Sequence, residues 1–242
     1  MRAIILAGGK SSRLLPITER TPKCLLEIGG TTILGNLLSA LRASGVRTIT
    51  IVTGQHAEQV EEHVRSHWSD LDISFIHNDS VDSTGPAYGL WLARDHFTEP
   101  IIYLNSDLLC DPALIARVCA GEDPHSLTAV QRAEWNEEAV NVTLDPDGAI
   151  VDIGKHVTRE ANDGEFVGAT RFSEAFLKVL GEKLQSFVDR GELKKFAADA
   201  INAAIQESGA ALRALDVTDL RAIEIDTSED LERAQKLWKN DA

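Results

Sequence analysis

The first half of the chain alternates short apolar runs with longer amphipathic stretches. Four runs have the pattern of buried strands: residues 2–7, 47–53, 73–77 and 100–104. Three stretches between them carry apolar residues at helical spacing: residues 32–44, 56–67 and 85–97. Gly45 is expected at the C-cap of the first helix. Strands and helices in this order predict an α/β fold, with helices on both faces of a parallel sheet.

The second half adds elements to the same sheet. Strands are predicted at residues 127–131, 139–144, 211–217 and 221–225, and helices at residues 173–190 and 195–208. The Asp-Pro-Asp-Gly sequence at 145–148 predicts a turn before Ile150. A final helix begins near Asp226 or Thr227, either of which can cap it. We therefore expect one continuous domain over residues 1–242.

Composition narrows the class of protein. The 242 residues are 43% hydrophobic, enough for a sizeable core, and the net charge of -14 disfavours nucleic acid and anionic membranes as partners. No stretch approaches ~18 consecutive apolar residues, so no membrane insertion is expected. Three cysteines without CxxC spacing suggest a reduced, cytoplasmic protein.

A glycine-rich turn follows the first strand. Leu6, Ala7, Gly8 and Gly9 lead into Arg13, and Lys23 follows Pro22. Small residues leave backbone N–H groups open to a polyphosphate, which the two cations can neutralise. The alternative is a plain strand-to-helix turn with two solvated cations, because the spacing fits neither GxGxxG nor a Walker loop.

Two aspartates follow predicted strands. Asp107 ends the strand after Asn105 and Ser106, and Asp226 follows Ile225. Ligands of open α/β sheets bind beyond the carboxyl ends of strands, and Mg²⁺ prefers carboxylate oxygens. We therefore expect Asp107 and Asp226 to bind Mg²⁺, although each can also be a capping residue. Asp111 is expected to be structural.

The segment from Leu6 to Leu25 resembles the signature of the nucleotide-sugar pyrophosphorylase-like nucleotidyltransferases. It shares Arg13, Leu14, Pro16, Thr18, Pro22, Lys23 and Leu25, and departs at Ser11, where the family usually has glycine. The Asn-Ser-Asp107 and Glu-Ile-Asp226 motifs extend the resemblance to nearly the whole chain. It implies a Rossmann-like, mixed and mostly parallel central sheet flanked by helices, similar to nucleotide-diphospho-sugar transferases.

The resemblance also implies roles for particular residues. Arg13 and Lys23 would be catalytic, with Lys23 on the phosphoryl group under attack, and Asp107 and Asp226 would hold Mg²⁺. Nucleotide-binding residues would be Leu6, Ala7, Gly8, Gly9, Gln55, Ser83, Thr84, Gly85 and Ser106. Gln55 is equally well explained as a base contact or as a solvated loop amide. Residues 1–110 would form the nucleotide-binding half, and residues 111–242 the acceptor-binding half.

For the acceptor, the resemblance indicates Lys155 and Glu165. The sequences around them are similar to the phosphocholine, phosphonoalkyl and inositol-phosphate cytidylyltransferase branch. Lys155 can instead be a surface lysine, and Glu165 a charge that protects a sheet edge. A choline cage would need aromatic or acidic residues. The candidates are Tyr88, Trp91, Trp135, Phe196 and Asp199, but core packing explains the first three better.

The resemblance thus implies a Mg²⁺-dependent enzyme that transfers CMP from CTP to a small phosphate- or phosphonate-bearing acceptor and releases pyrophosphate. The nearest alternative is a sugar-1-phosphate nucleotidyltransferase using UTP, dTTP or GTP. A regulatory protein that binds nucleotide without turnover is a second alternative. A glycosyltransferase is a third, which Asn105 weakens because Asp-x-Asp is usual there. The acceptor and any homo-oligomer remain open.

Overall fold

The computed structural model describes residues 1–120 and 125–239. Within them the strands are β1 (Arg2–Ala7), β2 (Glu27–Ile28), β3 (Thr31–Thr32), β4 (Thr48–Thr53), β5 (Asp72–His77), β6 (Ile101–Asn105), β7 (Leu108–Cys110), β8 (Ser126–Gln131), β9 (Asn141–Leu144), β10 (Ile150–Gly154), β11 (Gly164–Phe172), β12 (Leu212–Asp216) and β13 (Ala222–Glu224). The helices are α1 (Ile33–Ala43), α2 (Ala57–His67), α3 (Pro86–Leu92), α4 (Pro112–Cys119), α5 (Glu174–Asp189), α6 (Ala197–Ser208) and α7 (Ser228–Leu237).

A nine-stranded mixed sheet forms the centre of the fold. Its main path runs β10-β9-β11-β6-β1-β4-β5, and β8 pairs with β11 and β12. Strands β6, β1, β4 and β5 are parallel, as the strand–helix alternation predicts. The long β11 runs antiparallel to β6, β8 and β9 and joins the two halves of the sheet. The predicted α/β class, with a mixed and mostly parallel sheet, is confirmed.

Some predicted element boundaries were wrong. The helix predicted over 85–97 ends at Leu92 and gives way to a 3-10 turn at Arg94–His96. The Arg94 guanidinium donates to the Trp91 carbonyl (3.0 Å), which satisfies an otherwise open helix end. The strand predicted from residue 139 begins at Asn141. The Asn141 amide donates to the carbonyls of Asn136 and Ala139, which holds the preceding residues in a turn.

Other elements were missed or refined. Helix α4 begins with Pro112 in its first turn, a signal that the sequence carries at Asp111-Pro112. Strand β7 is only three residues long and pairs with β13 alone in the described residues. The C-cap of α1 is Ser44, and Gly45 follows it at φ 80°. Thr227 caps α7 by accepting from the Asp230 amide.

Two large apolar clusters fill the faces of the sheet, and a third lies beneath the predicted site. This third group, called here the C-terminal cluster, comprises Leu14, Ile28, Ile33, Leu109, Ile223, Ile225, Leu231, Ala234 and Trp238. Leu14 adjoins Arg13, Leu109 lies two residues after Asp107, and Ile225 adjoins Asp226. Burial of this cluster therefore draws the glycine-turn segment and both aspartate segments together.

Trp238 closes the C-terminal cluster from the end of α7. It is 4% exposed, and the Arg221 guanidinium lies 4.7 Å from its ring centroid. Arg221 also donates to both oxygens of the Asp111 carboxylate, at 2.7–2.9 Å. Asp111 thus holds α7 and the loop before β13 in place, the structural part expected of it.

The three cysteines are free thiols. Cys24 and Cys110 are buried, and burial raises the pKa of each thiol to about 12.

Among the described residues, no helix is long and apolar enough to cross a membrane.

Gly29 offers a test of the C-terminal cluster. It has φ +60°, and an added Cβ would lie 3.1 Å from the Trp238 Cβ. Gly45 has φ +80° with nothing within 4 Å of that position, so it is a matched control. We expect Gly45→Ala to lose about 1 kcal/mol of unfolding free energy to backbone strain, and Gly29→Ala about 1 kcal/mol more from the contact. Urea denaturation measures both; equal losses would contradict close packing at Gly29.

Candidate active site

The predicted site lies beyond the carboxyl ends of β1 and β6. Leu6 lies beside Asn105 in the parallel ladder, and the Ser106 amide donates to the Leu6 carbonyl (3.3 Å). Gly8 passes close to the end of β4, since a Cβ there would meet the Gly54 nitrogen at 3.3 Å. Gly9 has open space around it. The glycine turn and the Asn-Ser-Asp107 segment are therefore neighbours.

The backbone conformation at Ser11 explains why the family signature usually has glycine at this position. It adopts φ 50° and ψ 35°, the left-handed region in which glycine is least strained. The Thr18 hydroxyl donates to the Ser11 carbonyl (2.8 Å), which helps to hold this conformation. A 3-10 turn over Ser12–Leu14 then buries Leu14 and leaves Arg13 half exposed toward the site.

Lys23 joins the two aspartates. Its ammonium lies 2.7 Å from Asp107 Oδ2 and 2.9 Å from Asp226 Oδ1, although these residues are 84 and 203 positions away in sequence. The Arg13 guanidinium lies 2.9 Å from Asp226 Oδ2. The structure thus brings the two predicted catalytic cations and the two predicted metal ligands into direct contact.

The pKa shifts of Lys23 and Asp226 both favour the charged forms of these two groups. Burial disfavours the Lys23 ammonium, but the charges of Asp107 and Asp226 outweigh it and raise the pKa of Lys23 above its ordinary value. Burial would likewise raise the pKa of Asp226, but Lys23 and Arg13 outweigh it and lower that pKa. The four side chains form a compact array of charges, which suits the binding of a charged substrate.

Asp107 and Asp226 have the chemistry to hold Mg²⁺. Asp107 Oδ1 is buried and has no hydrogen-bond partner, which is costly for a carboxylate oxygen unless a ligand completes it. The described residues contain no group of three or more metal-binding side chains. Mg²⁺ is usually bound by one or two carboxylates together with substrate phosphates and water, so two aspartates are sufficient.

Sequence reasoning missed a polar chain behind the aspartates. The Tyr103 hydroxyl donates to Asn105 Oδ1 (2.5 Å), and the Asn105 amide donates to Glu224 Oε1 (2.6 Å). Burial, followed by the charge of Asp107, raises the pKa of Glu224 well above its usual range. Asn105 and Glu224 each precede a predicted metal ligand by two residues, a spacing that places both near the site but does not show that they pair. Their hydrogen bond ties the two aspartate segments together.

The predicted base-binding residues lie near the glycine turn, but part of their polarity is already engaged. The hydroxyls of Ser83 and Thr84 donate to the Ser80 carbonyl, and the Gly85 amide donates to the Leu193 carbonyl (2.7 Å). Gln55 is exposed after β4. Their contact with a base stays a prediction.

An unpredicted ion pair places that loop beside the glycine turn. Lys10 lies 2.9 Å from Asp82, and both side chains are well exposed. Such an exposed pair adds little stability, but the contact shows that the two segments lie close together. A nucleotide held by the glycine turn would therefore have the loop at 82–85 within reach.

Lys155 lies on the same side of the molecule as Arg13. Its ammonium is 3.2 Å from Glu138 Oε2, and the Arg13 guanidinium is 3.7 Å from the same oxygen. Lys155 also borders a cavity of about 270 Å³, lined by Val140, Gly154, Lys155, His156, Phe196, Ala198 and Asp199. Glu138 was missed because nothing in the sequence of its loop indicates a partner.

Glu165 does not line this cavity. It lies on β11 opposite Gln131 and Asn141, and burial raises the pKa of its carboxyl. Its predicted acceptor contact therefore has no support from the cavity lining, and it stays a prediction.

The candidate choline cage does not form around the cavity. Trp91 stacks on Tyr88 and donates to Gln185, and Trp135 donates to the Val157 carbonyl (2.9 Å). Phe196 does line the cavity, but the Lys155 ammonium lies 5.5 Å from its ring centroid. Asp199 accepts from the Phe196 amide (2.7 Å), which caps α6.

With this geometry in place, comparison with known proteins identifies the family. Residues 3–192 match the MobA-like NTP transferase domain. The chain belongs to this family. The fold agrees: the inositol-1-phosphate CTP transferase of T. maritima superposes with a TM-score of 0.82 at 20% identity, over 99% of this chain and 95% of that one.

Two curated relatives of this MobA-like NTP transferase illustrate the range of substrates. The chain is 27% identical, over 97% of its length, to CMP-5'-(3-aminopropyl)phosphonate synthase of Streptomyces rubellomurinus, and covers 38% of that protein. It is 36% identical, over 46% of its length, to the mannose-1-phosphate guanylyltransferase catalytic subunit beta of Drosophila pseudoobscura, and covers 30% of it. The chain thus spans about a third of these relatives' length.

Removal of the Lys23 charge tests the electrostatics of this candidate site. In Lys23→Met, Asp107 loses its cation and Asp226 keeps only the Arg13 guanidinium. We expect a loss of about 2–3 kcal/mol in unfolding free energy, below the roughly 3–5 of a fully buried pair because Asp226 is 39% exposed. Urea denaturation at neutral pH measures this loss.

Two further measurements test the charge balance in the Lys23→Met variant. The difference from the wild type should shrink as the pH falls below 3.8, the ordinary pKa of aspartate, toward the lower folded value of Asp226, because the carboxylate then loses its charge in both proteins. Mg²⁺ should raise the melting temperature of the variant more than that of the wild type. A variant as stable as the wild type, or one insensitive to Mg²⁺, would contradict the charge balance described.

Proposed function

We propose that the chain transfers CMP from CTP to a small phosphate- or phosphonate-bearing acceptor and releases pyrophosphate. The observation that carries this proposal is the Lys23 ammonium bonded to both Asp107 and Asp226, with Arg13 on the same carboxylate. That arrangement combines phosphate-binding cations with oxygen ligands suited to Mg²⁺. Family membership supports nucleotidyl transfer as the reaction.

The choice of CTP and of the acceptor class rests on similarity. A relative whose name gives a CMP-phosphonate product is similar over 97% of this chain. The cavity beside Lys155, about 270 Å³ in volume, is large enough for a small acceptor and offers a cation for its anionic end. Both features favour a compact phosphonate or phosphate over a large substrate.

In the proposed reaction, an oxygen of the acceptor's phosphate or phosphonate attacks the α-phosphorus of CTP. The bond from that phosphorus to the β-phosphate bridging oxygen breaks, and pyrophosphate leaves opposite. The acceptor oxygen is already anionic at neutral pH, so no general base is required. This chain's residues position the reactants: the glycine turn and Arg13 hold the triphosphate, Lys23 neutralises the α-phosphate, and Lys155 binds the acceptor anion. Mg²⁺ held by Asp107 and Asp226 would neutralise phosphate charge.

A substrate panel tests the proposal. The protein with Mg²⁺ is incubated with CTP, UTP, dTTP or GTP, each with 3-aminopropylphosphonate, inositol 1-phosphate, phosphocholine or mannose 1-phosphate. We expect pyrophosphate release chiefly with CTP and one of the first three acceptors. The 36% identity to a guanylyltransferase over part of the chain makes GTP with mannose 1-phosphate the specific alternative.

The panel separates the candidate functions. Turnover of a sugar 1-phosphate with UTP, dTTP or GTP, and not of the CTP pairs, would reject the cytidylyltransferase proposal in favour of the sugar-phosphate one. Nucleotide binding by calorimetry without pyrophosphate release from any acceptor would favour a regulatory protein.

Two aspartates that flank β7 provide a matched pair of variants. In Asp107→Asn we expect turnover at saturating Mg²⁺ to fall on the order of 10²–10³-fold, the loss typical when one electrostatic stabiliser of a transition state is removed, and the Mg²⁺ concentration for half-maximal turnover to rise. Asp111→Asn should lose stability, because Arg221 loses its carboxylate, yet keep its turnover number below the melting temperature. Unchanged Mg²⁺ dependence in Asp107→Asn would reject Asp107 as a metal ligand.

A further inference from the structure

Glu138 bridges the two cations nearest to the proposed acceptor path. Its Oε2 lies 3.2 Å from the Lys155 ammonium and 3.7 Å from the Arg13 guanidinium. Arg13 in turn contacts Asp226, so an unbroken chain of charges runs from the cavity at Lys155 to the carboxylates at Lys23. Glu138 therefore stands between the cavity and the proposed reaction centre.

From this position we infer that Glu138 is a specificity residue, which holds the place of the acceptor anion and favours acceptors that carry a primary ammonium group. The inference rests on the proposed function and concerns the substrate class of the same site. It requires two steps. Glu138 first leaves Lys155 and Arg13, and its carboxylate then pairs with the ammonium group of the acceptor.

Displacement follows from charge. An acceptor anion that reaches the α-phosphorus must approach Lys155 and Arg13, where the Glu138 carboxylate already lies. Two like charges at that separation repel, so Glu138 must leave as the anion binds. Its side chain is 66% exposed and lies in the segment between β8 and β9, so it can turn away without disturbing the core.

The new pairing follows from proximity. Val140, two residues after Glu138, lines the cavity, which keeps the displaced carboxylate near the rim. Glu138 has by then lost Lys155 to the acceptor anion and Arg13 to the triphosphate. An ammonium at the far end of the acceptor supplies a replacement partner, whereas an apolar or hydroxylated end leaves the carboxylate to water alone.

The rest of the cavity favours a primary ammonium over choline. The Asp199 carboxylate caps α6, and the Lys155 ammonium already lies near the Phe196 ring. A quaternary ammonium over that face of Phe196 would be repelled by the Lys155 ammonium. A primary ammonium can donate hydrogen bonds directly to Glu138, which a trimethylated one cannot.

The test compares two acceptors of equal length, 3-aminopropylphosphonate and n-butylphosphonate, with CTP and Mg²⁺. We expect the wild type to prefer the amino acceptor by about tenfold in kcat/KM, and Glu138→Gln to reduce that preference to about twofold or less. Most of the change should come from a lower KM for n-butylphosphonate, because the competing carboxylate is gone. Glu137→Gln, an exposed neighbour in the same loop, is the control and should keep the wild-type ratio.

Binding of each acceptor, measured by calorimetry with CMP present and without turnover, gives a second readout. A preference that Glu138→Gln leaves within twofold of the wild-type value would overturn the inference, as would an equal loss for both acceptors. The absence of turnover with every nucleotide and acceptor would instead reject the proposed function. The calorimetric ratio would still decide the role of Glu138 in that case.

Discussion

The charge balance of the site depends on one cation held between two carboxylates. Lys23 comes from the segment after the glycine turn, Asp107 from the end of the central sheet and Asp226 from the start of the last helix. Carboxylates brought this close repel one another unless a cation lies between them. Lys23 supplies that cation in the protein without ligands. In the proposed function, a metal ion that binds with the triphosphate would neutralise the two carboxylates at this position.

Apolar packing, and not the ion pairs, gives this charge array its geometry. The C-terminal cluster buries Leu14, Leu109 and Ile225, each within two residues of a charged group of the site. Trp238 completes the cluster from α7, the element most distant in sequence from the glycine turn. Partly exposed ion pairs contribute little stability by themselves, so burial of these side chains supplies the energy that holds the charges in register.

The contiguous motifs made much of this predictable from sequence. Arg13 and Lys23 belong to one signature, and Asp107 follows a strand of the central sheet, so the topology of an α/β sheet brings Asp107 to the edge beside the glycine turn. Asp226 follows β13, which lies outside the central sheet, so its place beside Asp107 depends on the pairing of β13 with β7. Glu138 had no such signal, since its contact with Arg13 depends on how a loop between two strands returns to the first turn of the chain. Pairing of Asn105 with Glu224 likewise depends on the register of β7 against β13, which spacing alone does not fix.

Every cation proposed to meet substrate already has a carboxylate partner. Lys23 pairs with Asp107 and Asp226, Arg13 with Asp226 and Glu138, Lys155 with Glu138, and Lys10 with Asp82. In a chain of net charge -14, an anionic substrate therefore binds by exchange of partners and not by attraction to free positive charge. Such an exchange of ion-pair partners favours ligands that bring a cation to pair with the displaced carboxylates. In the proposed function, Mg²⁺ with a triphosphate would meet this requirement at Asp107 and Asp226, and an acceptor with its own ammonium would meet it at Glu138.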